Sequence, residues 1–103
     1  MKTITIEQLK KRLDAGETIN ILDVREPSEH AEFNIGGTLL PLGQVQAMQV
    51  EDIEDWKDQE VIVYCRSGNR SGQACQFMDM LGFKNTKNLV GGMLAWQEKF
   101  GVK

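Results

Sequence analysis

Residues 61–74, VIVYCRSGNRSGQA, decide how this chain folds. Val61 to Tyr64 are apolar and β-prone, and they run straight into Cys65. Arg66, Ser67, Gly68 and Asn69 follow as a small polar loop. From about Arg70, apolar residues recur at helical spacing: Ala74, Phe77, Met78 and Leu81, with Gly82 placed as a C-cap. A strand that feeds a helix through a short glycine-containing loop is half of a parallel strand–helix unit.

The same alternation continues on both sides. Thr5 and Gln8 form a capping-box pattern, and Ile6, Leu9 and Leu13 carry a first helix that ends at Gly16. INILDV, Ile19 to Val24, reads as a strand. Pro27 and Ser28 start a short helix through about Phe33, broken by Gly36-Gly37. Thr38 to Leu42 is a short extended piece, and Gln44 to Trp56 reads as a helix with a weaker pattern. Thr86 to Val90 is a further strand, Gly91-Gly92 a turn, and Met93 to Phe100 a last helix. Strands alternating with helices define an α/β domain with a mainly parallel sheet.

The chain has 103 residues, which fits one domain over residues 1–103. Its net charge is −3 (12 basic against 15 acidic side chains). No basic stripe argues for nucleic acid, because Lys10 to Arg12 lie on a helix face flanked by Glu7 and Asp14. No apolar run is long enough for a membrane span, and MKTITIEQLKKR becomes charged too early for a signal peptide, so a cytoplasmic protein is expected. With one histidine, His30, and two distant cysteines, neither a metal site nor a disulfide framework is called for, and no cofactor.

The chemistry is expected at the loop. In an open parallel sheet, ligands sit beyond the carboxyl ends of the strands, and Cys65 lies just past such an end. Inward-pointing amides at the start of a helix form a cradle for negative charge and favour a thiolate over a thiol. Arg66 and Arg70 push the same way, and Gly68 lets the backbone curl. The arrangement suits an activated sulfur nucleophile. The competing view, a small buried apolar cysteine before a surface loop, leaves the arginines and the glycine unexplained. No base adjoins Cys65, which argues against a Cys-His protease.

Four segments together resemble the rhodanese family of single-domain sulfurtransferases: ILDVREPSEH (Ile21–His30), NIGGTLLPL (Asn34–Leu42), YCRSGNRS (Tyr64–Ser71) and NLVGGMLAW (Asn88–Trp96). The resemblance covers almost the whole chain. It implies a three-layer domain with a central, mainly parallel five-stranded sheet flanked by helices. It also implies a mechanism. The Cys65 thiolate takes the outer sulfur of a donor such as thiosulfate, or of a persulfide or polysulfide. The resulting persulfide passes that sulfur to a thiol, a protein acceptor or cyanide. Arg66 would attract the anionic donor, and Arg70 would fix the loop. Ser67, Gly68 and Asn69 complete the cradle.

By the same resemblance, the related phosphatases and arsenate reductases use one more loop residue than the four here. Those activities are therefore disfavoured. The other alternative is a non-catalytic interaction module, but inactive relatives typically lose the cysteine. A monomer is expected.

Two departures stand out: Asn34 replaces a family histidine, and His30 stands where an aromatic residue is common. His30 reads as a packing residue. Arg25 reads as pairing with Glu29 or Glu32 rather than rimming the site. Asp23 has two readings, bonded to loop amides or to Arg70. Cys75 reads as a core thiol rather than a resolving cysteine, Met78 and Met80 as helix packing, and Trp96 as core.

Overall fold

A computed structural model describes residues 2–101. The first half contains β1 (Lys2–Ile4), α1 (Ile6–Asp14), β2 (Asn20–Asp23), α2 (Pro27–Glu32), β3 (Thr38–Leu39) and α3 (Leu42–Gln46). A 3-10 helix (Glu51–Trp56) leads to β4 (Glu60–Tyr64), α4 (Asn69–Met80), β5 (Asn85–Leu89) and α5 (Gly92–Phe100). The strands form one five-stranded sheet in the order β1-β5-β4-β2-β3. Every pairing is parallel, so the expected mainly parallel sheet is wholly so.

The central strand shows why its sequence lacks alternation. Val61 and Val63 pack on one face with Ala74, Cys75 and Met78 of α4 and Val45 of α3. Ile62 and Tyr64 pack on the other with Leu9 of α1 and Met93 and Trp96 of α5. Both faces are covered over Val61 to Tyr64, so all four of those positions are apolar. This gives the three layers the resemblance implied. Cys75 is a buried core thiol and Trp96 is core, as read from the sequence. Burial pushes the Cys75 thiol up to about 11.

Local chemistry explains the helix starts. The Thr5 hydroxyl accepts from the Gln8 amide at 3.1 Å, and the Gln8 side chain accepts from the Thr5 amide at 2.9 Å. Asn34 joins two backbone segments. Its side chain donates to the His30 carbonyl and accepts from the Gly36 amide, both at 2.8 Å.

Two expectations need correction. The single helix over 44–56 is interrupted: Met48 adopts a left-handed φ of 62° and separates α3 from the 3-10 helix. The N-terminal β1 also went unread, because three residues at a sheet edge carry almost no periodicity.

One glycine fixes how α5 meets the sheet. Gly92 has a φ of 54°, and a Cβ there would lie 2.4 Å from the Cys65 carbonyl oxygen. The close approach lets the Met93 and Leu94 amides donate to the Cys65 and Arg66 carbonyls at 3.0 and 2.9 Å. Replacing Gly92 with alanine is therefore expected to cost at least about 2 kcal/mol, measured by urea unfolding. An unchanged midpoint would contradict the close packing.

Candidate active site

The parallel sheet places the carboxyl ends of β2 and β4 side by side, with Asp23 opposite Tyr64. Cys65 is the residue just past β4 and is 1% exposed. The chain then curls through Arg66 and Ser67 to Gly68, whose φ of 100° caps the start of α4. That left-handed turn directs the Gly68 amide back at Cys65 Sγ, 3.1 Å away. The Ser71 hydroxyl lies 3.4 Å from the same sulfur.

Burial pushes the Cys65 thiol up. The Ser71 hydroxyl and the amides of Ser71, Ser67 and Gly68 outweigh that effect and bring it below the ordinary thiol value. Loop amides thus face the Cys65 sulfur itself.

The three arginines of the region divide their tasks. Arg70 makes a two-pronged bridge to Glu29 of α2, at 2.7 and 2.8 Å. Glu29 also accepts from the Glu26 amide at 3.0 Å, so the bridge ties the start of α4 to the start of α2. The bridge thus anchors Arg70, which closes the loop after Asn69, to α2.

Arg25 does not pair with Glu29 or Glu32. Its amide, Nε and terminal nitrogen all donate to the Asp23 carboxylate, at 3.0, 2.9 and 2.8 Å. It also donates to the Phe33 carbonyl at 2.6 Å and lies over the Tyr64 ring. The reason is local: the chain turns sharply after β2, and Glu29 is already committed to Arg70. Asp23 accordingly contacts neither the loop amides nor Arg70. Burial pushes its carboxyl up, but its bonds from Arg25 and His30 hold it below the ordinary value.

His30 is also more than a packing residue, since its Nδ1 lies 2.8 Å from Asp23 Oδ2. One turn of α2 carries it over the end of β2.

Arg66 is exposed, and among the described residues its side chain has no hydrogen-bond or ion-pair partner. Together with Arg25, Glu32, Phe33, Leu94 and Gln97 it lines a cleft of about 290 Å³ beside the loop. Ser67 and Asn69 are exposed on the far side of the loop, along a shallower depression with Asn88 and Val90.

Sequence reading missed Glu29 as the partner of Arg70, and it missed Asn88. The signal for Asn88 was a strand-averse residue inside the apolar end of β5.

The chain matches the rhodanese-like domain family over residues 5–99, and it belongs to that family. A sulfurtransferase from Allochromatium vinosum is 38% identical over 94 residues, covering 90% of this chain and 85% of that protein. A longer Bacillus subtilis relative is 39% identical over 97 residues, and the chain spans 51% of its length. The solution structure of the rhodanese-like domain of the Anabaena protein Alr3790 superposes with a TM-score of 0.85 at 27% identity. It covers 99% of this chain and 77% of that one. These relationships support sulfur transfer as the general activity.

The Arg70 bridge has a measurable signature. Arg70 holds the Glu29 carboxyl at about 2, against an ordinary 4.5, despite burial. A depressed folded-state value stabilises the protein above the ordinary value, and the effect fades as pH falls toward 2. The stability difference between wild type and Glu29→Gln should be full near neutral pH, at about 1 kcal/mol or less. It should vanish by about pH 2 in urea titrations. A difference independent of pH would contradict the bridge.

Proposed function

We propose that the protein moves a sulfane sulfur from thiosulfate, or from another persulfide or polysulfide donor, to a thiol or cyanide acceptor through a Cys65 persulfide. The observation that carries this reading is the sulfur itself: Cys65 Sγ faces the Gly68 amide at 3.1 Å at the start of α4. Amide donors at this point favour a sulfur anion, either the attacking thiolate or the terminal sulfur of a persulfide.

In the first half-reaction, the Cys65 thiolate attacks the outer sulfur of thiosulfate. The new sulfur–sulfur bond forms as the donor's breaks, and sulfite leaves with the electron pair. In the second, the acceptor attacks the outer sulfur of the persulfide, and Cys65 departs as a thiolate. No external oxidant or reductant is needed. Two such half-reactions predict ping-pong kinetics.

Arg66 is assigned to the donor because the other two arginines are engaged. Arg25 is bonded to Asp23 and Arg70 to Glu29, which leaves the Arg66 guanidinium facing the cleft. The cleft's remaining lining, with Leu94 46% exposed, suits an acceptor that brings some apolar surface. The compact loop, four residues between Cys65 and Arg70, supports sulfur over tetrahedral phosphate.

The test is steady-state transfer from thiosulfate to cyanide. Parallel double-reciprocal lines are expected. Arg66→Glu should raise the KM for thiosulfate about tenfold or more while the protein remains folded. A phosphate ester should not be hydrolysed. Intersecting lines, or a thiosulfate KM indifferent to the charge at residue 66, would overturn the assignment. Absence of any transfer would favour a binding module.

A further inference from the structure

Asn88 lies near the carboxyl end of β5, level with Val63 of β4, and it is buried. Its side chain reaches two parts of the active-site loop. Nδ2 donates to the Gly68 carbonyl at 3.0 Å, and Oδ1 accepts from the Ser71 hydroxyl at 2.5 Å. The amide cannot be turned round. A backbone carbonyl only accepts, so the Asn88 amino group must face Gly68, and the amide oxygen must then face Ser71.

Ser71 is therefore caught between two acceptors. Its Oγ touches Asn88 Oδ1 on one side and lies 3.4 Å from Cys65 Sγ on the other. A hydroxyl carries one hydrogen and cannot satisfy both. With Cys65 protonated, the thiol hydrogen points at Ser71 Oγ, the Ser71 hydrogen points at Asn88, and every group is satisfied. With Cys65 ionised, the sulfur draws the Ser71 hydrogen to itself, and the buried Asn88 oxygen loses its donor. A charged acceptor gains more from that hydrogen than a neutral one, yet the abandoned oxygen opposes the exchange.

We propose that Asn88 is a positioning residue that competes with Cys65 for the single hydrogen of Ser71, and so sets how readily the nucleophile ionises. Its second bond, to the Gly68 carbonyl, holds the peptide next to the one whose amide faces the sulfur. The proposal deepens the sulfurtransferase reading and rests on Cys65 as the nucleophile. Its test uses no sulfur donor, so either can fail alone.

Other charged or titratable groups surround the site. From α4 come Arg70, bridged to Glu29 of α2, and the buried thiol of Cys75. The loop contributes Arg66, and the end of β2 contributes the Asp23–Arg25 pair, which His30 joins. Among the described residues, none of these hydrogen-bonds Ser71 or Asn88. A change confined to Asn88 therefore acts on the sulfur through Ser71 and Gly68.

The experiment is the rate of Cys65 alkylation by iodoacetamide across pH, with peptide mass mapping to separate Cys65 from Cys75. It is run on wild type, Asn88→Val, Ser71→Ala and the double variant. Asn88→Val should lower the midpoint by about one unit, because Ser71 is freed to serve the thiolate. Ser71→Ala should raise it. The double variant should match Ser71→Ala, since Asn88 has nothing left to act through. Asn88→Ala carries the same expectation and replaces the valine variant if that fails to fold. A role limited to bracing Gly68 predicts the opposite sign, because a looser loop loses its amide donor. An unchanged or raised midpoint in the Asn88 variants would overturn the proposal. So would a downward shift that persists without Ser71.

Discussion

The candidate active site depends on where two carbonyl groups point. The Cys65 and Arg66 carbonyls accept from two amides in the first turn of α5, those of Met93 and Leu94. In a trans peptide, the amide of the following residue points the opposite way. Turning the Arg66 carbonyl toward α5 therefore turns the Ser67 amide away from it, to the sulfur side, where it helps lower the Cys65 thiol. Gly92 permits the close approach, and Gly68 completes the curl. The last helix is thus a structural wall of the cradle, although it contributes no reacting group.

A second constraint is the confinement of charge. Three arginines lie around one cysteine, yet two are bound by carboxylates: Arg25 by Asp23, 5% and 0% exposed, and Arg70 by Glu29. Their charges fix the backbone at the ends of β2 and α4. Among the described residues, the Arg66 guanidinium alone of the three has no hydrogen-bond or ion-pair partner. This division lets a cluster rich in positive charge hold its shape while one guanidinium stays open, the one we propose for the anionic donor. It also explains why an arginine-to-lysine change would not be neutral at residues 25 and 70, where several donors are used at once.

Much of this was legible in the sequence, where local chemistry and pattern agree. β4 runs over residues 60–64, and its buried part, Val61 to Tyr64, writes itself as an apolar run. Helix α4 was placed to within a residue at each end by its spacing and by Gly82. The Thr5–Gln8 cap and Cys65 at the strand end were equally plain. What escaped was set by contacts remote in sequence or by unusual backbone. Met48, with a φ of 62°, separates α3 from the 3-10 helix without a glycine or proline at the break. Glu29 meets Arg70 across 41 residues, and Asn88 meets Ser71 across 17. Asp23 and Arg25 read as candidates and His30 as packing, but their pairing depends on which acid Arg70 has already taken.

The central claim is that Cys65 carries sulfur, and intact mass tests it most directly. Wild-type protein incubated with thiosulfate should gain the mass of one sulfur atom. Cyanide should remove that mass and release thiocyanate, and Cys65→Ser should do neither. A wild-type protein that stays unmodified by both thiosulfate and polysulfide, or a serine variant that still gains sulfur, would contradict it.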